Sequence, residues 1–261
     1  MRSERVQEGG FADDPLTSSR TVAVVLSTLM ERLWAAAEVS YRDRILASLP
    51  RDPSAVLLDL GCDDGAWTEE LRRRLEIPPK HVYGLEIVVE RAELARARGF
   101  DVRAGNLEEV WPFEDASVDV LHANQVIEHV RRLDHFVAEL KRVLRAEGRA
   151  IVCTENLASW HNVMALMLGY QPFSLTNIST VRPLGNRFAL HAGESPGGES
   201  WQHIHVLTLT ALRDIFDVHG LVVERAWGAG YHPFPGRLAR GLAHLDPRHS
   251  HFIGVVLRTC S

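Results

Sequence analysis

Asp59, Gly61, Gly65 and Glu86 are spaced as the parts of a nucleoside site would be. Val56-Leu57-Leu58 with Leu60 reads as a short buried strand, the two glycines allow a tight turn, and Trp67, Leu71 and Leu75 open a helix. A glycine turn between strand and helix brings backbone N–H groups and a helix N-terminus against a ligand. Taken alone, the same residues also fit a plain strand-to-helix turn. Glu86 ends a second apolar run, Val82-Tyr83-Gly84-Leu85, 21 positions after Gly65. There a carboxylate can accept from both hydroxyls of a ribose. Asp59 narrows the ligand, because a carboxylate inside the turn repels a pyrophosphate but suits an ammonium group or another cation. A zwitterionic nucleoside fits better than a dinucleotide.

Such a set needs a scaffold, and the chain alternates accordingly. The spacing predicts helix over 20–49, strand 56–60, helix 67–75, strand 82–86, helix 90–98, strands 101–104 and 118–123, helix 133–144 and strand 149–154. This is the pattern of a doubly wound α/β fold with a mostly parallel sheet covered on both faces. Leu133, Phe136, Val137, Leu140, Val143 and Leu144 form the clearest apolar stripe. After Thr154 comes an apolar helix from Trp160 to Leu168, then a stretch to residue 205 rich in Pro, Gly, Ser and Asn, as lids and binding loops are. Thr210 is placed to cap a helix carrying Leu212, Ile215 and Phe216 and stopped by Gly220. Strand 221–227, a second insertion at 228–249 and strand 252–257 close the chain. We therefore expect a flexible tail over 1–19 and a single domain over 20–261, with lid insertions at 155–205 and 228–249.

The 261 residues carry a formal net charge of −5, which offers no basic footprint for nucleic acid or an anionic membrane. No apolar run reaches membrane-spanning length, and Cys62, Cys153 and Cys260 are too few and too scattered for a disulfide framework or a zinc cluster. Free thiols in a cytoplasmic protein are expected.

With these elements in place, the residues resemble the class I S-adenosylmethionine-dependent methyltransferases over roughly 50–225. Asp59-Leu60-Gly61-Cys62-Asp63-Asp64-Gly65 is similar to the first motif of that family, Glu86 to its ribose acid, and Gly105-Asn106-Leu107 to its adenine turn. Pro112-Phe113, Ser117-Val118-Asp119-Val120 and Asn124-Gln125-Val126-Ile127-Glu128-His129 follow the ubiquinone/menaquinone-biosynthesis type of small-molecule methyltransferase. The resemblance implies a seven-stranded Rossmann-like sheet with an antiparallel last strand, and S-adenosylmethionine as cofactor. It also implies cofactor contacts from Asp59, Gly61, Cys62, Gly65, Glu86, Ile87, Asn106, Leu107 and Asn124. Asp63 departs from the usual glycine, and since Asp tolerates positive φ, the loop should keep its site with a slightly altered shape.

Methyl transfer to a hydroxyl needs a base, and His129, after the fourth strand, is the first candidate. Glu128, His161 and His203 are the further candidates for catalytic roles. Glu128-His129 is similar to part of the metal-binding Glu-x-x-Glu-His of small-RNA 2′-O-methyltransferases, but Gln125 replaces the first Glu and no metal is expected. His203 and His205 would point the same way if they lay in a strand. Trp160, Tyr170, Phe173, Phe188 and Trp201 supply aromatic surface for an apolar or aromatic small-molecule acceptor. Tyr231 to Pro235 and the stripe Leu238, Leu242 and Leu245 fit either a pocket wall or the contact of a homodimer. A non-catalytic cofactor-binding module and a metal-assisted RNA 2′-O-methyltransferase are the alternatives of other classes.

Overall fold

A computed structural model describes residues 15–189 and 201–259, with side chains from Thr28 onward. Seven strands form one sheet in the order β3-β2-β1-β4-β5-β7-β6. β1 (Leu57–Leu60), β2 (Val82–Glu86), β3 (Asp101–Ala104), β4 (Val118–Asn124) and β5 (Leu144–Glu155) are parallel. β7 (Phe252–Thr259) runs antiparallel to both β5 and β6 (Leu221–Ala229). The inner strands β1, β2 and β4 are largely apolar runs because both faces are covered, as parallel sheets require, whereas the edge strands β3 and β6 carry polar residues such as Asp101, Glu224 and Arg225 on exposed positions.

One face carries Leu58, Leu60, Leu121, Val152 and Val255, packed under α4 (Leu133–Val143) and α6 (Leu209–Val218). The other carries Leu57, Val120, Ile151 and Val256 under α1 (Pro15–Ser48), α2 (Ala66–Leu75) and α3 (Val89–Arg96). Alternation places Asp59 with Leu57 and His122 with Val120 on this second face. The pairing register sets Asp59 directly beside His122. From β1 the chain steps outward to β2 and β3, then returns to β4 on the other side. The crevice at that reversal is where doubly wound sheets bind ligands.

Several boundaries differ from expectation. Helix α1 begins at Pro15, inside the expected tail, and runs unbroken for 34 residues, with Leu33, Ala37, Tyr41 and Ile45 buried, as is Leu49 just past its end. Proline suits a first helical turn, where its missing N–H would have no partner. Residues 1–14 and Cys260 lie outside the described residues. Leu144 is the first residue of β5 and not the last of α4, because the strand makes an excursion at Glu147, whose φ is 64°, before its register with β4 resumes at Arg149. No described helix is long and apolar enough to cross a membrane.

Thr208, not Thr210, caps α6: its hydroxyl accepts from the Ala211 N–H at 3.3 Å. Thr208→Ala should therefore lower stability by about 1 kcal/mol in urea titration, while the exposed Thr210→Ala should cost less than about 0.5 kcal/mol.

Candidate active site

The glycine turn after β1 is built on positive φ: 66° at Gly61, 49° at Asp63 and 75° at Gly65. A Cβ on Gly61 would lie 2.7 Å from Val126, and one on Gly65 would lie 3.0 Å from the Ala95 Cβ. Asp63 thus adopts the expected left-handed conformation. Its carboxylate pairs with the Arg91 guanidinium, which holds it below the usual carboxylate range. Glu86, at the end of β2, is locked from both sides: Oε2 accepts from the Asp63 N–H at 3.0 Å and Oε1 from the Val88 N–H at 2.9 Å.

Two cavities meet at this turn. The first, about 400 Å³, is lined by Gly61, Glu86, Ile87, Asn106, Leu107 and His129. The second, about 550 Å³, is lined by Arg42, Asp59, Asp63, Trp67, His122 and Asn124. Gly61 and Asp63 border both, so an elongated ligand can lie across the turn. In the second cavity Arg42 from α1 is the single lysine or arginine among acids, its guanidinium 5.0 Å over the Trp67 ring. The buried Oδ1 of Asn124 has no protein partner, and burial around its neighbour Tyr41 raises that phenol, while the Asn124 hydrogen bond opposes the rise. A free acceptor beside a carboxylate, with one arginine across the cavity, is a donor set for an ammonium and a carboxylate on one ligand.

Asp59 is 2% exposed, and its oxygens are engaged: Oδ2 accepts from Thr68 Oγ1 at 2.5 Å and Oδ1 contacts His122 Nδ1 at 2.7 Å. Trp67 Nε1–H donates to His122 Nε2 at 3.4 Å. That donor places the His122 proton on Nδ1, directed at Asp59. Asp59 therefore acts through this buried relay as well as lining the cavity. His122 and Arg42 were not expected. The signal for His122 was a polar residue at an inward position of an apolar strand.

Other expected contacts divide. The Cys62 thiol is turned into the core against Gly84, and burial pushes it up, while the residue borders the second cavity through its place in the loop. Gly65 lines neither cavity; it is the N-cap of α2 and lets α3 pack closely. Glu128 is fully buried, with Oε2 accepting from Thr154 Oγ1 at 2.8 Å, Oε1 unpartnered, and burial raising its pKa to about 7. His129 Nδ1–H donates to the Gln202 carbonyl at 3.0 Å, and burial lowers its pKa, leaving a neutral ring with a lone pair on Nε2. The His203 ring lies 4.8 Å from that of His129, and its Nδ1 donates to the Ser174 carbonyl at 2.7 Å. Glu128, His129 and His203 offer donor atoms within 4.8 Å of one another, while His205 turns away to the Arg131 carbonyl because residues 202–208 form no strand.

The insertions build a third cavity of about 550 Å³ between α1, α5 (Trp160–Met167) and the turn after β6. Trp160, Met164, Tyr170, Phe173, Phe188 and Phe234 make its wall. Trp160 Nε1–H donates to Tyr231 Oη at 2.7 Å, and Tyr231 donates to Asp246 at 2.8 Å, so the two insertions are tied. Tyr231 to Phe234 are thus pocket wall, whereas Leu238 and Leu245 on α7 (Gly236–Leu245) are exposed. Trp201 lines the first cavity and not the aromatic one. His161 lines the aromatic cavity, away from the glycine turn. A small cavity bordered by His161 and Glu155 leads back toward the sheet edge, where Glu155 lies 3.8 Å from His203.

Comparison with known proteins agrees with this geometry. The profile of the methyltransferase domain family matches residues 58–152, which run from β1 through most of β5. A probable S-adenosylmethionine-dependent methyltransferase of Mycolicibacterium smegmatis is 30% identical over 241 residues, covering 90% of this chain and 73% of that protein. The mitochondrial ubiquinone biosynthesis O-methyltransferase of Rattus norvegicus is 27% identical over 210 residues, or 75% of this chain; the match spans only 54% of the rat protein. Among solved structures, a chain from the complex of the Haloferax volcanii Trm112 methyltransferase activator with a methyltransferase superposes with a TM-score of 0.59 at 17% identity, covering 88% of this chain and 95% of that one. That likeness establishes the Rossmann-like fold. The identity shared with the mycobacterial protein along most of both chains carries the family: this protein belongs to the S-adenosylmethionine-dependent methyltransferases, with S-adenosylmethionine as its cofactor.

Proposed function

We propose that the protein transfers the methyl group of S-adenosylmethionine to an oxygen, hydroxyl or carboxylate, of a small apolar or aromatic molecule. The observation that carries this reading is the aromatic cavity roofed by the two insertions at the same sheet edge as the cofactor turn. The name of the rat relative, an O-methyltransferase of ubiquinone biosynthesis, supports an oxygen acceptor. The formal charge of −5 disfavours RNA as the acceptor.

The residues present fit the cofactor. Glu86 would accept from the ribose hydroxyls, Asn106 and Leu107 would border the adenine, and Asp59 with Asn124 would face the ammonium. Arg42 would meet the carboxylate across the second cavity. When bound, S-adenosylmethionine supplies an electrophilic methyl on a sulfonium, which is a good leaving group. What remains for the chain is alignment and exclusion of water.

A hydroxyl acceptor must also lose a proton, and His129 is held to receive it. The Gln202 carbonyl fixes its tautomer, and burial keeps it neutral at pH 7, as a base must be. His129→Ala should lower turnover about 100-fold and leave the Kd for S-adenosylmethionine nearly unchanged, measured with labelled methyl donor and by calorimetry. Equal turnover would remove His129 from the mechanism and point to a carboxylate acceptor, which needs no base.

A further inference from the structure

A second gathering of histidines lies apart from the cofactor turn. His161 stands at the start of α5, His232 in the turn after β6, and His251 just before β7. Three segments distant in sequence bring their rings to centroid separations of 4.3, 4.4 and 4.7 Å. The residues are 8%, 6% and 4% exposed, and their ligating nitrogens lie within 4.8 Å of one another.

Nδ1 of His161, Nδ1 of His251 and both nitrogens of His232 have no protein hydrogen-bond partner. Buried polar atoms in folded proteins are nearly always paired, so several unpaired nitrogens facing one another call for a shared partner. Burial lowers the pKa of all three rings, that of His232 to about 4. Neutral imidazoles offer lone pairs, which is the form that ligates a metal.

The surroundings hold the three in place. The His251 N–H donates to the Gly230 carbonyl at 3.0 Å, and the Asn156 side chain donates to the carbonyls of Arg248 and Ser250 at 2.8 and 2.7 Å. A Cβ on Gly230 would lie 2.4 Å from the Ala37 Cβ and 3.1 Å from the His251 Cβ, so α1 packs directly on the turn beside the cluster. Nothing here depends on the group of Glu128, His129 and His203, in which both imidazole Nδ1 atoms already bond backbone carbonyls.

We propose that His161, His232 and His251 together bind a first-row divalent metal ion of the zinc type, one nitrogen each, with a coordination position left open. An all-imidazole set suits zinc, nickel, copper or iron better than magnesium, calcium or manganese. Three protein ligands with a fourth position free is the arrangement of a catalytic site and not of a structural one. Nitrogen separations close to about 3.4 Å around a tetrahedral ion with bonds of about 2.0–2.1 Å, a contraction that turns of the imidazoles supply. His161 and His232 line the aromatic cavity, and His161 and His251 line the small cavity beside Glu155. The open position therefore faces the space an acceptor would fill, where a second oxygen of the acceptor, not the one that takes the methyl, would complete the coordination and anchor the molecule. This last step rests on the cavity being the acceptor site; the metal site itself does not.

The test is titration of the chelator-treated full chain with Co(II) and then Zn(II), with no methyl donor or acceptor present. Wild type should take up one ion with the visible absorption of tetrahedral Co(II), which Zn(II) displaces, and Zn(II) should raise its Tm. His232→Asn and His251→Gln should lose the band and the Tm rise while keeping wild-type affinity for S-adenosylmethionine, and His203→Ala should retain both. If His251→Gln fails to fold, His232→Asn, in a turn, carries the comparison. No uptake by wild type, or uptake lost in His203→Ala and kept in His232→Asn, would overturn the proposal. Either result leaves the methyl-transfer reading to be judged by its own assay.

Discussion

Glu86→Ala should weaken S-adenosylmethionine binding about 1,000-fold. The carboxylate is set in place before any ligand arrives, by the N–H groups of Asp63 and Val88. It would therefore meet two ribose hydroxyls without reordering, as the proposed cofactor placement requires. Hydrogen bonds to a charged group contribute about 1.5–3 kcal/mol each, and two of them amount to roughly three tenfold steps in Kd. Glu86→Gln keeps one acceptor oxygen without the charge and should fall between the two. Calorimetry of the three proteins gives the ranking directly. An alanine variant that binds like wild type would mean that the cofactor does not use the end of β2.

Asp59→Ala should destabilise the fold by about 4 kcal/mol, a large share of the roughly 5–15 kcal/mol that holds a domain together. The alanine leaves the Thr68 hydroxyl and the His122 Nδ1–H without an acceptor, at sites only 1% exposed. Each orphaned buried donor costs about 1–3 kcal/mol, and the space left by the carboxylate adds to this. Asp59→Asn retains an oxygen for His122, and the Thr68 hydroxyl can turn to accept from the amide, so its loss should be near 1 kcal/mol. The pair separates two roles of one residue: the asparagine variant should fold yet bind the cofactor more weakly, because the negative charge beside the ammonium is gone. Urea titration of both reads the difference, and equal midpoints for Asp59→Ala and wild type would show that the relay carries no stability.

What could be read in the residues follows from distance along the chain. The strands β1, β2 and β4 were legible because a parallel strand buried on both faces is a largely apolar run between turn residues, whereas the edge strand β3, with Asp101 and Arg103 polar, offered only Val102 and Ala104. Glu86 was legible because one crossover fixes its separation from the glycine turn. The start of β5 was not, since Leu144 to Gly148 are partly polar and the strand forms there only by an excursion at Glu147. Thr208 and Thr210 are equally able to cap, and only the direction in which the chain enters α6 chooses between them. The aromatic residues of the insertion were legible as a group, but Trp201 borders the cavity beside Glu86 and Asn106 instead of the aromatic one. His122 required the β1–β4 register, and Arg42 required knowing where α1 crosses the sheet edge. The cluster of His161, His232 and His251 joins residues up to 90 positions apart and has no local pattern at all.

The central claim is methyl transfer to a small molecule. It is tested most directly by incubating the chain with methyl-labelled S-adenosylmethionine and an extract separated into small-molecule and nucleic-acid fractions, followed by mass spectrometry. The expected result is label in an organic-soluble compound as a methyl ether or ester, formed by wild type and not by Glu86→Ala. Label confined to RNA, or S-adenosylmethionine bound with no labelled small molecule in any extract, would contradict it.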